Sequence, residues 1–228
     1  MTGGRTRVKI CGITEAGHGL AAARAGADAI GFVFWDGTPR RVTPERAAAI
    51  AASLPPFVSI VGLFVDPSPD HVRAMLAAVP LDLLQFHGRE TPEFCRTFGR
   101  PYLKAIPALN ERGEAGLLEC ALRYGDAAGL LFDAPAAGGL PGGTGQTFDW
   151  GVLTPRLRDR LARPLVLSGG LHPGNVAAAI RAVGPWAVDV SSGVEAIGPD
   201  GKALKGIKDP SRIAAFIEEV RNADVRSA

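Results

Sequence analysis

The sequence predicts an α/β protein built as a closed (β/α)₈ TIM barrel, and three features predict it. First, short apolar runs alternate with segments of helical period throughout the chain. Eight such pairs fill 228 residues at about 28 residues each, near the roughly 30 of a βαβ unit. Second, most runs are continuously apolar rather than alternating, as parallel strands buried on both faces require. Third, the first run ends Cys11-Gly12-Ile13-Thr14 instead of opening into the Gly-x-Gly-x-x-Gly of a doubly wound sheet, which favours closure. With no linker, low-complexity tract or charge block, residues 1–228 read as one domain.

The predicted strands are Val8 to Gly12, Ala29 to Phe34, Ser59 to Val65, Leu83 to His87, Tyr102 to Ala108, Gly129 to Ala134, Leu165 to Gly169 and Ala187 to Ser191. Helix starts are written as a capping Thr, Ser or Asp before proline, whose missing N–H had no partner at that position. Thr43-Pro44, Ser68-Pro69, Thr91-Pro92 and Asp209-Pro210 fit this pattern. Stripes at i, i+3, i+4 and i+7 follow: Val72, Met75, Leu76, Val79; Val176, Ala179, Ile180, Val183; Ile213, Phe216, Ile217, Val220. The first helix, after Thr14, and the fifth, over Glu111 to Tyr124, are weakened by glycines, and the rhythm is what predicts them. Asp149-Trp150 reads as the capped start of the sixth.

Composition narrows the function classes. Hydrophobic residues make up 46% and charged residues 21%, with 25 Lys+Arg against 23 Asp+Glu, so the net charge of +2 supplies no nucleic-acid footprint. Apolar runs such as Ile60 to Val65 fall short of the roughly 18 residues of a membrane span, and the Thr2-Gly3-Gly4-Arg5 start lacks a signal-peptide core, so a cytoplasmic protein with no membrane partner is expected. The odd cysteines Cys11, Cys95 and Cys120 share no Cys-x-x-Cys spacing, which suggests neither a disulfide framework nor a zinc site.

Barrel enzymes build their sites at the C-terminal ends of the strands, with phosphate often held after strands seven and eight. There the chain has Ser168-Gly169-Gly170 and Ser191-Ser192-Gly193, where absent side chains let backbone N–H groups approach an anion. A third run, Gly142-Gly143-Thr144-Gly145, lies in the long loop after strand six. Cys11 ends strand one just before a helix start, where helix N–H groups would lower its thiol; a buried structural cysteine is the competing reading. Asp133 ends strand six with no nearby helix to cap. Arg40 could grip a carboxylate or be a solvated surface residue. His87 could serve as an acid, a ligand contact or a hydrogen-bonded interior group, and Asp189 within strand eight reads as paired inside the barrel. Strands one and six lie three steps apart on an eight-stranded ring, so Cys11 and Asp133 would oppose each other across the mouth. A thiolate taking a proton from carbon, opposed by an acid protonating a departing oxygen, is equipment for isomerising a phosphosugar, and it needs no metal or organic cofactor.

These residues stand in long ordered motifs: Val8-Lys9-Ile10-Cys11-Gly12-Ile13-Thr14, Gly26-Ala27-Asp28, Gly31-Phe32-Val33-Phe34, Thr38-Pro39-Arg40, Val61-Gly62-Leu63-Phe64-Val65, Leu84-Gln85-Phe86-His87-Gly88, Gly142-Gly143-Thr144-Gly145 before Phe148-Asp149-Trp150, Leu167-Ser168-Gly169-Gly170-Leu171 and Val188-Asp189-Val190-Ser191-Ser192-Gly193-Val194-Glu195. In them the chain resembles the phosphoribosylanthranilate isomerase family of tryptophan biosynthesis. The resemblance implies an Amadori rearrangement of N-(5-phosphoribosyl)anthranilate, with Asp133 as general acid on the ring oxygen and Cys11 as general base at C2′. It further implies that Arg40 holds the anthranilate carboxylate and that His87, Gly143, Gly169, Gly170, Ser192 and Gly193 complete substrate and phosphate binding. The implied partner is a small phosphosugar, taken by a monomer or homodimer that could associate with a neighbouring pathway enzyme. Two alternatives are weighed against this. The related isomerase of histidine biosynthesis carries an aspartate where this chain has Cys11, and a non-catalytic phosphate-binding barrel would tolerate loss of Cys11 and Asp133, both of which are present.

Overall fold

A computed structural model describes residues 4–108, 113–134 and 145–225. Eight parallel strands close into a barrel in the order of the chain: β1 (Arg7–Cys11), β2 (Ala29–Val33), β3 (Ser59–Phe64), β4 (Leu83–Phe86), β5 (Tyr102–Pro107), β6 (Gly129–Asp133), β7 (Leu165–Leu167) and β8 (Ala187–Val190). Between them run α1 (Ala16–Ala25), α2 (Pro44–Ser53), α3 (Pro69–Ala78), α4 (Pro92–Arg96), α5 (Gly113–Arg123), α6 (Pro155–Arg160) and α7 (Val176–Val183). The chain ends with a hairpin of β9 (Glu195–Ile197) and β10 (Ala203–Lys208), then α8 (Pro210–Val225). None of the described helices is long and apolar enough to cross a membrane.

The period of two along each strand divides the interior into two cores. Outward-facing Ile10, Phe32, Phe64, Phe86, Phe132 and Val188 pack with the helix stripes, including Val72, Ile180 and Phe216, in one continuous cluster. Each fully buried phenylalanine there contributes about 1.5–3 kcal/mol. Inside the barrel, the lower layer is apolar, with Leu83, Leu103, Ala105, Leu131, Val166 and Ala187. Above it sit buried polar groups, Lys9, Gln85 and Asp189, then Cys11, Val33 and Leu63. Apolar floor and polar upper storey together gather the buried polar groups of the barrel interior at one end.

The helix starts follow their sequence signals, since Thr43, Ser68 and Thr91 each accept from the backbone N–H three residues on, at 3.2–3.3 Å. Thr154-Pro155, of the same type, starts α6 in the same way. Three expectations need correction. The first helix does not start directly after Thr14, whose hydroxyl donates to the Gly206 carbonyl at 2.9 Å; α1 begins at Ala16 after an N-cap, Glu15, with no side-chain bond. Asp149 caps a 3₁₀ turn over Trp150–Val152 rather than α6. The hairpin β9–β10 interrupts the simple eightfold rhythm; its signal is Gly198-Pro199-Asp200-Gly201, a turn sequence between two short apolar runs.

Removing one cap tests this account of helix initiation. Ser68→Ala should lower stability by about 1 kcal/mol, read as a lower urea midpoint at unchanged slope; an unchanged midpoint would contradict it.

Candidate active site

Cys11 and Lys9 occupy the same face of β1, and their register partners are Gly31 on β2 and Asp189 on β8. Gly31 is required there: a Cβ at that position would lie 2.9 Å from Cys11 Sγ and 3.1 Å from Lys9 Nζ. Lys9 Nζ donates to Asp189 Oδ1 at 2.9 Å, with both side chains buried. Burial works to discharge Lys9, but Asp189 and the neighbouring Cys11 outweigh it and hold the ammonium above its ordinary range. The thiol behaves otherwise than expected from a helix start. Burial pushes Cys11 upward, Lys9 opposes this, Asp189 adds to it, and the net direction is up. The cations that moderate the thiol are Lys9 first and Lys208 after it.

Asp133 closes β6 and is buried. Its Oδ1 accepts from the Ala134 N–H at 2.9 Å, and its Oδ2 faces His87 Nε2 at 3.0 Å. Across β4, the Gln85 amide nitrogen sits 3.2 Å from His87 Nδ1. An amide nitrogen only donates, so this orientation leaves Nδ1 as acceptor and puts the imidazole proton on Nε2, where it donates to Asp133. His87 is therefore a hydrogen-bonded interior group that fixes the carboxyl group from two strands away. Gln85 Oε1 is buried without a partner among the described residues.

The loops after β7 and β8 converge. Gly170 has φ +61, and a Cβ on it would lie 2.5 Å from the Gln146 carbonyl carbon. A Cβ on Gly193 would fall 1.9 Å from the Leu171 carbonyl oxygen, so the two loops pack backbone to backbone. Gly169 presses equally close to Ala134, beside Asp133. Ser192 begins a 3₁₀ turn over Ser192–Val194, giving a short extra helix start of the kind that holds phosphate in barrels. From behind, Asn175 Nδ2 donates to the Gly170 carbonyl at 3.0 Å and Arg212 Nη2 to the Gly193 carbonyl at 3.0 Å, fixing both loops. Gly143 lies outside the described residues; Gly145 of the same run faces Ser192.

Arg40 is buried, not solvated. Its Nε and Nη2 donate to Glu195 Oε1 and Oε2 at 2.7 and 3.0 Å, while its side chain crosses over Gly12, next to Cys11. Sequence reasoning passed over Lys9, Gln85, Glu195 and Lys208 as functional candidates. A usable signal existed for the first two, since Lys9 stands two residues before Cys11 and Gln85 two before His87, on the same strand face and inside apolar runs.

A carboxyl group and a thiol at the C-terminal ends of strands, beside converging glycine loops at one end of a closed barrel, stand where (β/α)₈-barrel enzymes build their active sites. The family model for N-(5'-phosphoribosyl)anthranilate (PRA) isomerase matches residues 8–219. An N-(5'-phosphoribosyl)anthranilate isomerase from Alcanivorax borkumensis is 55% identical over 96% of this chain and 97% of its own length. The crystal structure of phosphoribosyl anthranilate isomerase from Thermotoga maritima is 43% identical, with a TM-score of 0.83 over 95% of this chain and 99% of that one. A phosphoribosyl anthranilate isomerase in complex with reduced 1-(o-carboxyphenylamino)-1-deoxyribulose 5-phosphate is 41% identical, with a TM-score of 0.80 over the same shares. The chain belongs to the N-(5'-phosphoribosyl)anthranilate isomerase family, and it is an isomerase of tryptophan biosynthesis.

If Lys9 moderates the thiol, Lys9→Met should move formation of the Cys11 thiolate to higher pH. Ultraviolet thiolate absorbance, with Cys11→Ser as blank and circular dichroism to verify folding, reads this directly; a titration that stays in place would contradict it.

Proposed function

We propose that the protein converts N-(5-phosphoribosyl)anthranilate into 1-(2-carboxyphenylamino)-1-deoxyribulose 5-phosphate. The observation that carries this reading is the juxtaposition, in a member of this family, of buried Asp133 at the end of β6 and Cys11 at the end of β1 with the anion loops of Gly170 and Gly193. Asp133, in its protonated form, donates to the ribose ring oxygen; the C1′–O bond breaks and the anthranilate nitrogen supplies the electron pair of a Schiff base. Cys11, as thiolate, removes the C2′ proton, and the resulting enolamine takes a proton at C1′ and loses the proton of its C2′ hydroxyl to give the ketone, so no net proton is gained or lost.

The surroundings support these roles. His87, anticipated as a substrate contact, holds Asp133 Oδ2 at 3.0 Å and is read here as the group that orients the acid. Burial makes the Cys11 thiolate scarcer yet more basic, which suits removal of a proton from carbon, and Lys9 limits the penalty. Backbone N–H groups at Gly169, Gly170, Ser192 and Gly193, with the Gly143 loop, bind the phosphate, and Arg40 receives the anthranilate carboxylate. On the same reading this is a single-domain cytoplasmic enzyme that acts as a monomer or homodimer.

The purified protein should consume phosphoribosylanthranilate, seen as loss of its fluorescence. Cys11→Ser and Asp133→Asn should each lower kcat by about 10³-fold or more. Wild-type-like turnover in either variant would remove the assigned role, and an inert wild type would overturn the reading.

A further inference from the structure

Behind the barrel mouth lies a second group of buried charges that the acid–base steps leave unused. Glu195 is fully buried, and four donors converge on it. Arg40 takes both oxygens, the Gly206 N–H donates to Oε1 at 2.9 Å, and Lys208 Nζ stands 3.4 Å from Oε1. Lys208 also donates to the Ser191 carbonyl at 2.8 Å and to its hydroxyl at 3.3 Å. The hairpin β9–β10 carries Glu195 and Lys208 and lies against the Arg40 loop. At Gly206, with φ +87, a Cβ would come within 2.9 Å of the Pro39 carbonyl oxygen.

The charges do not cancel. One carboxylate faces a guanidinium and an ammonium, so the group holds an excess of one positive charge in a site with little water to screen it. Among the described residues the guanidinium is committed on one edge only. Glu195 uses two of its five donors, the Nε and one Nη2 hydrogen, and the remaining edge is the planar two-donor fork that matches a second carboxylate. An entering anion therefore finds a preset fork and an unbalanced charge together.

We propose that Glu195, acting with Lys208, is the specificity-determining device of this site: it presets the Arg40 fork and keeps one uncompensated positive charge, so that the site selects an arylamino sugar phosphate bearing a carboxylate over the same molecule without one. This rests on the reading under Proposed function and adds residues to it. Burial lowers the Lys208 ammonium, to about 8, with Arg40 pushing in the same direction and Glu195 and Cys11 resisting. As pH rises through that value Lys208 loses its proton, the group becomes neutral, and the preference for the carboxylate declines.

Two ligands and three proteins test this. The ligands are the reduced product analogue and its counterpart lacking the ring carboxylate; their affinities are measured by calorimetry for wild type, Glu195→Gln and Lys208→Met. Wild type should prefer the carboxylate form by about 10–100-fold. Glu195→Gln adds to the positive excess but unsets the fork, and loss of the fork should dominate, cutting that preference about tenfold or more while leaving the affinity for the counterpart nearly unchanged. Lys208→Met keeps the Arg40–Glu195 pair, so it should fold even if Glu195→Gln does not; its preference should be reduced and flat with pH across 8. Equal weakening of both ligands, or an unchanged preference, in a folded variant would overturn the proposal. Absence of any carboxylate preference in the wild type would likewise overturn it, whereas absence of turnover in the wild type would overturn the functional reading beneath it.

Discussion

The ion pair between Lys9 and Asp189 sits where the barrel closes. β1 and β8 are the ends of the sheet, and their register sets these two residues opposite each other, so the pair lies across the seam that turns an open ladder into a ring. A buried pair of this kind adds little net stability over an apolar replacement, but losing one partner costs about 3–5 kcal/mol. Its presence inside an apolar barrel is better explained by what it does for the neighbouring thiol. Lys9 reaches Cys11 on the same face of the strand, and Asp189 keeps Lys9 charged while it does so.

The same arrangement recurs twice more at the mouth. Asp133 is held by His87, whose tautomer is set by Gln85, and Arg40 is held by Glu195, whose charge is shared with Lys208. Cys11 is moderated from its own strand, whereas Asp133 and Arg40 are each fixed by a buried partner on a different strand or loop, so the closed sheet serves as the frame that aligns them. The supporting residues lie on β4, β8 and the terminal hairpin, which explains why a chain with few insertions still builds a specific site.

Much of this was legible in the amino-acid order. Continuous apolar runs and Thr/Ser-Pro caps mark strands and helices because burial on two faces and the missing proline N–H leave few other uses for them, and the eight barrel strands differ from those predicted by a residue or two at their ends. Cys11, Asp133 and the Gly170 and Gly193 loops stand out because polar or glycine residues interrupt apolar strands at their C-terminal ends. The pairing of Arg40 with Glu195 was not legible, since the two are separated by 155 positions and meet only through the β9–β10 hairpin. The direction of the Cys11 thiol was misread for a related reason: proximity to a helix start is visible in sequence, whereas depth of burial is a property of the closed barrel. Thr14 looked like the point where the first helix starts, yet its hydroxyl donates to Gly206, again a contact that exists only once the hairpin has folded back.

The central claim is that Asp133 opens the sugar ring and Cys11 then takes the C2′ proton, as two steps served by two sides of the mouth. Rapid-quench analysis of the enzyme-bound species under single turnover tests it most directly. The account predicts that Cys11→Ala accumulates the ring-opened Schiff base while Asp133→Asn retains the closed furanose. Accumulation of the same species in both variants would contradict it.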